Sequence, residues 1–139
     1  MRVAAYVACA VLAFPAAAAP RHRLDTLTPA QAISRASADA PKPVRAVVQL
    51  RVESAAKSRD GYYLDSEKNF RSATNVGIAV RASAMPGLTK KYGADLKAAF
   101  VGKTIKVIGE VRRLPVGKNH ASTATEIEVT HPGQILSVG

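Results

Sequence analysis

The chain has 139 residues, with 20 Lys+Arg against 10 Asp+Glu, a formal charge of +10, and one cysteine, Cys9. This length favours one domain around one core. A single cysteine excludes an internal disulfide framework, the lack of any CxxC or Cys/His cluster argues against structural zinc, and near-zero mean hydropathy with 22% charged residues argues against a wholly disordered chain.

Met1 and Arg2 form a short basic start, residues 3–14 are apolar, and small residues fill 15–20. That is the pattern of a secretory signal peptide. The apolar run falls short of the ~20 residues that a permanent membrane-spanning helix requires. Cleavage is expected after Ala18, with Ala16 and Ala18 as the small pair. Cys9 has too little chain before it for a lipoprotein signal. Loss of residues 1–18 takes Arg2 and Cys9 with it, leaving a mature chain of charge +9 without a thiol, which suits an oxidising compartment. The protein is expected to be exported, periplasmic or secreted, with no transmembrane segment in the mature chain.

Residues 19–27 are polar and basic without periodicity and read as a flexible leader, so the domain itself spans 28–139. Thr28-Pro29-Ala30-Gln31 combines an N-cap threonine, proline at the first helical position and a glutamine that completes a capping box. The helix runs from Pro29 to about Ser37 and ends before Pro41 and Pro43. Residues 44–52 change to period two, with Ala46, Val48, Leu50 and Val52 on one face of a strand. Residues 54–60 are a polar connection, and residues 61–65 form a short strand with Tyr62 and Leu64 on one face, Tyr63 and Asp65 on the other. Residues 66–75 read as a loop anchored by Phe70. Val76, Ile78 and Val80 define a third strand, and residues 88–100 have apolar positions at helical spacing. Residues 104–112 form a fourth strand, with Ile105, Val107, Gly109 and Val111 on one face; the isolated glycine suggests a bend or bulge. Residues 114–122 read as a basic loop, residues 124–129 as a fifth strand with Ile127 and Val129 inward, and His131-Pro132-Gly133 as a turn before residues 134–138.

Five short strands with a helical insertion between the third and fourth predict a mainly β fold, the five-stranded Greek-key barrel called the OB-fold. An open β-sandwich or an SH3-like barrel explains the position of residues 82–101 less well. The segments Tyr63-Leu64-Asp65-Ser66-Glu67-Lys68-Asn69-Phe70-Arg71, Gly102-Lys103-Thr104-Ile105-Lys106-Val107-Ile108-Gly109-Glu110-Val111 and Val129-Thr130-His131-Pro132-Gly133-Gln134-Ile135 resemble the small exported bacterial OB-fold domains. These are distant relatives of the anticodon-binding type of nucleic-acid-binding OB-folds. The resemblance covers roughly residues 28–138 and speaks to fold more than to activity.

An OB-fold binds on the outside of strands two and three, flanked by the loops joining strands one to two and four to five. On this chain that face would offer Tyr63, Arg81 and Arg51. The loops would add Lys57 and Arg59 on one side, and Arg112, Arg113 and Lys118 on the other. Single-stranded nucleic acid requires cations for phosphates and aromatic faces for bases. The chain is rich in the first and poor in the second, so Tyr63 is the one plausible stacking platform. The expected partner is single-stranded nucleic acid or another polyanion; the alternative is an envelope protein or glycan. No catalytic residue, metal site or cofactor is expected. His22, His120 and His131 share no chelating spacing, there is no Gly-rich phosphate loop or nucleophile elbow, and Asp65 with Glu67 and Arg71 lacks a second signature of a cation-dependent nuclease.

Overall fold

The computed structural model describes residues 23–139, so the expected signal peptide and the first part of the leader lie outside the described residues. The capping box forms as read: Gln31 N donates to Thr28 Oγ1 at 3.2 Å and Thr28 N donates to Gln31 Oε1 at 3.0 Å. It opens helix α1, Pro29–Asp39, whose Ala32 and Ala36 are spaced one turn apart and fully buried. Their small side chains let α1 lie close against the sheet.

The strands are β1 (Thr26–Leu27), β2 (Val44–Arg51), β3 (Ser54–Lys57), β4 (Tyr62–Asp65), β5 (Val76–Val80), β6 (Thr104–Val116), β7 (Ser122–Val129) and β8 (Ile135–Val138). Helices α2 (Met85–Tyr92) and α3 (Leu96–Phe100) connect β5 to β6, where the helical insertion was expected. The sheet itself departs from expectation. It is an open mixed sheet of eight strands in the order β1-β2-β6-β7-β5-β4-β3, with β8 on β6, and not a closed five-stranded barrel.

Three local features depart from the expected strands. The expected first strand ends at Arg51, and the backbone changes neighbour at Val52 and Glu53: Val52 N donates to Lys103 O, and Glu53 N donates to Asp65 O, both at 2.9 Å. The polar run after it is therefore paired, as β3 against β4, because strand pairing satisfies backbone groups whatever the side chains. The end of the leader is held as well, since Leu27 is 4% exposed and its strand pairs in parallel with Val47 and Val48. Finally, β6 runs on to Val116, which pairs with Ser122, so both ends of the expected basic loop belong to the arms of a β-hairpin.

The inward faces match the period-two reading. Val48, Leu64, Ile78, Ile105, Val107, Val111, Ile127 and Val129 are completely buried, each such side chain contributing about 1.5–3 kcal/mol on burial. Leu88, Leu96 and Phe100 of the helical connection join them, and the Tyr92 ring stands 5.0 Å from Phe100 at a tilt of 58°. Phe70 does not anchor its loop: it is 62% exposed. Gly109 marks no bulge opposite β2, where it pairs in register with Ala46. The irregularity of β6 lies instead at Lys106/Val107, against β8.

Candidate nucleic-acid and anion interface

Three of the expected contact residues, Arg59, Tyr63 and Arg81, line one groove of about 570 Å³ together with Ser58 and Ser83. The tight turn between β3 and β4 shapes its rim. Ser58 N donates to Gly61 O and Gly61 N donates to Ser58 Oγ, both at 3.0 Å. Gly61 is the only residue type that fits, because a Cβ there would lie 1.9 Å from Val80 O. That close approach carries Arg59 to the end of β5, from which Arg81 emerges. Arg81 is fixed in turn by its backbone N, which donates to Val129 O at 2.9 Å.

Tyr63 forms the floor with its cross-strand partner Ala79. Ala79 is 1% exposed although it lies on the outer face, while Tyr63 keeps 39% of its surface in solvent. Lys57 pairs with Tyr62 at the end of β3, on the opposite face of the sheet from Tyr63, and does not line the groove. The groove therefore offers one aromatic residue and two arginines, with one carboxylate residue, Asp60, on the same lining.

The other expected contacts lie elsewhere. Arg51 bonds Glu53 at 2.8 Å. Arg112 bonds Glu110 at 2.6 Å beside a second groove of about 440 Å³ that also includes Arg45, Glu128, His131 and Gln134. Arg113 donates to Thr125 Oγ1 at 2.7 Å and Thr123 Oγ1 at 2.6 Å. Lys118 sits in the turn of the β6–β7 hairpin. Val76 lies opposite Thr125, and Thr125 opposite Arg113, so this hairpin leaves the sheet at the far end of β4 and β5 from Arg59 and Arg81.

The outer face is not a continuous basic surface. Arg112, Glu126, Gly77 and Asp65 form one row across β6, β7, β5 and β4, and Glu128 and Glu110 lie beside it. Arg81 reaches back to this acidic row, 3.5 Å from Glu126 and 3.4 Å from Glu128. Burial pushes the Glu126 carboxyl above its usual range; Arg81 opposes the rise, and the nearby Glu128 and Asp65 reinforce it. Burial also raises Asp65, against the hydrogen bond donated by Asn75. The alternation of Glu126 and Glu128 in β7 marks them as outward-facing. Their role in dividing the basic face follows only from the ladder register.

Among the described residues no group of three or more His, Cys, Asp or Glu side chains is placed to hold a metal ion, and no helix is long and apolar enough to cross a membrane. No family model matches the chain, and no curated protein matches it.

Proposed function

We propose that the protein is an exported OB-type binding module that holds single-stranded nucleic acid or another polyanion in the Tyr63 groove and acts by binding rather than by catalysis. The observation that carries this reading is the exposed Tyr63 ring in one groove with the guanidinium groups of Arg59 and Arg81. A base stacks on the ring while flanking phosphates meet the two cations. The connection order supports the OB-type reading. With β2 and β3 taken as one strand broken at Val52 and Glu53, the pairing runs β3-β4-β5-β7-β6-β2, including a parallel β5–β7 pair and helices between β5 and β6. The groove then falls on the second and third strands, beside the loop joining the first two.

The acidic row limits the footprint, because a polyanion leaving the groove across the sheet would meet Glu126, Glu128 and Asp65. Contact with two phosphates, through Arg59 and Arg81, gives a slope of log K against log salt of roughly −1.4 on single strands. Fluorescence anisotropy of a labelled single-stranded oligonucleotide across salt concentrations tests this. Tyr63→Ala is expected to weaken binding by about 1–3 kcal/mol, and Arg59→Ala to flatten the salt slope. No binding at low salt, or full affinity in Tyr63→Ala, overturns the reading.

The second groove favours another partner, an envelope protein or glycan, because Arg45, Glu110, Glu128 and His131 offer both signs of charge there. Binding that survives high salt and disappears with Arg45→Ala, but not with Tyr63→Ala, supports that alternative.

A further inference from the structure

The end of the sheet opposite the Tyr63 groove gathers two loops. The connection from Asp65 to Val76 and the hairpin of β6 and β7 leave the sheet together, as the pairing of Val76 with Thr125 and of Thr125 with Arg113 requires. The first loop is held by side chains. Asn75 Nδ2 donates to Asp65 Oδ1 at 2.9 Å and to Phe70 O at 3.2 Å, while its Oδ1 accepts from Glu67 N at 3.1 Å. Ser54 Oγ donates to Glu67 O at 2.9 Å, and Asn69 Oδ1 accepts from Arg71 N at 3.0 Å.

This scaffold presents an apolar group to water. Phe70 is 62% exposed, more than the other large hydrophobic side chains exposed among the described residues. The Arg71 guanidinium lies 5.3 Å from its ring centroid, and Lys68 is exposed two residues earlier. The hairpin adds Val116, 39% exposed, with Lys118 in its turn. Of the carboxylates at this end, Asp65 is buried on Asn75 and Glu126 faces Arg81, while Glu67 accepts from the Thr74 hydroxyl and keeps its negative charge at the surface. Lys68, Arg71 and Lys118 outnumber it, so the net charge around the aromatic tip is positive.

We infer that this end of the sheet docks on an anionic lipid surface, with Phe70 entering the headgroup layer and Lys68, Arg71 and Lys118 meeting the lipid phosphates. Aromatic side chains favour the membrane–water interface, and basic residues are drawn to anionic lipids. A nucleic-acid strand fits this end less well. Arg71 already occupies one face of the Phe70 ring, and Val116 has neither a stacking face nor a charge for a phosphate. Apolar area combined with flanking cations is what interfacial binding uses. The inference is independent of the Tyr63 groove.

The chain contains no tryptophan, so Phe70→Trp places a single reporter in this loop, at a position exposed enough to leave the core undisturbed. The full-length variant is titrated with vesicles of phosphatidylglycerol and phosphatidylcholine, with vesicles of phosphatidylcholine alone, and with a single-stranded oligonucleotide. Residues 1–22 are the same in every sample, so a difference between variants reports on this loop. The anionic vesicles are expected to shift emission to shorter wavelength and shield the reporter from an aqueous quencher, while phosphatidylcholine alone leaves it in water. Sedimentation with the anionic vesicles is expected to weaken about tenfold in Phe70→Ser and further in Lys68→Glu combined with Arg71→Glu. Unchanged thermal unfolding confirms that the variants are folded. A reporter that stays open to quencher on sedimented vesicles, full binding by Phe70→Ser, or a shift caused only by the oligonucleotide overturns the inference.

Discussion

The guanidinium of Arg81 stands 3.4 Å from the carboxylate of Glu128, a residue 47 positions further along the chain. Because the partnership spans the parallel ladder of β5 and β7, it ties the cation of the groove to the acidic row beside it. Both side chains are about half exposed, and a pair of this kind contributes little to stability. Its larger effect is on the groove, where Glu128 competes with an incoming phosphate for Arg81. Glu128→Gln is expected to raise affinity for a single-stranded oligonucleotide about two- to fivefold at low salt, with the advantage fading as salt rises. Anisotropy titrations of both proteins at two salt concentrations check this, and unchanged or lower affinity contradicts it.

Asp65 and Glu126 lie on either side of Gly77 in one row, and burial is the leading cause of the upward shift at each. A carboxyl raised in the folded state holds its proton there after the unfolded chain has lost it. The two groups therefore add stability at acidic pH that disappears as pH rises from the ordinary carboxylate range through their raised values. Glu67 acts in the opposite sense, because hydrogen bonds from Ser72 and Thr74 hold it low. Urea unfolding between pH 4 and 7 should show a more even profile in Asp65→Asn combined with Glu126→Gln, with the gain over the parent largest at neutral pH. A variant that loses stability at neutral pH while keeping the parent's slope rules this out.

The core was legible in the sequence because burial on one face of a strand imposes period two. Val48, Leu50, Leu64, Ile78, Ile127 and Val129 all carry that signal and are all buried. The N-terminus of α1 was legible because Thr28, Pro29 and Gln31 act within one turn. Strand β3 was not, because Val52 and Glu53 change neighbour through backbone groups that every residue possesses. Phe70 was misread for a related reason: an aromatic residue in a polar loop has the same local pattern whether it points inward or outward. Arg59, Tyr63 and Arg81 could be proposed individually from the sequence. Their convergence depends on the approach of Gly61 to Val80 O, and the separation of Arg112, Arg113 and Lys118 from them depends on the direction of the β6–β7 hairpin.

Asn75 is 7% exposed and joins both strands that its loop connects. Its side chain bonds Asp65, the Phe70 carbonyl, Ser66 Oγ and Glu67 N. Asn75→Ala leaves the buried Asp65 carboxyl without its donor and releases the loop's one inward tether to Phe70. The expected loss is about 2–4 kcal/mol, since each stranded buried polar group costs about 1–3 kcal/mol. Urea unfolding measures the loss, and limited proteolysis should show new cleavage within residues 66–75 before global unfolding. A loss below about 0.5 kcal/mol, within the range of ordinary surface substitutions, contradicts this role.

Gln134 fastens the turn before β8 to the sheet through both ends of its amide. Its Nε2 donates to Ile108 O and Glu128 O at 3.0 Å, and its Oε1 accepts from Thr130 N at 2.8 Å and His131 N at 3.1 Å. Gly109 leaves the room for it: a Cβ there would lie 2.9 Å from Ile127 Cγ2 and 3.2 Å from Gln134 Nε2. Gly109→Ala must therefore displace the amide, the Ile127 methyl or both, with an expected loss of about 1–3 kcal/mol. Gln134→Ala removes the clip and strands several backbone groups, with a loss of about 2–3 kcal/mol. If the amide is what yields, the two losses overlap, and the double variant is less destabilised than the sum of the single ones by more than about 0.5 kcal/mol. Simple additivity in that double-mutant cycle would mean that Ile127 takes up the clash and that Gly109 serves the core rather than the Gln134 clip.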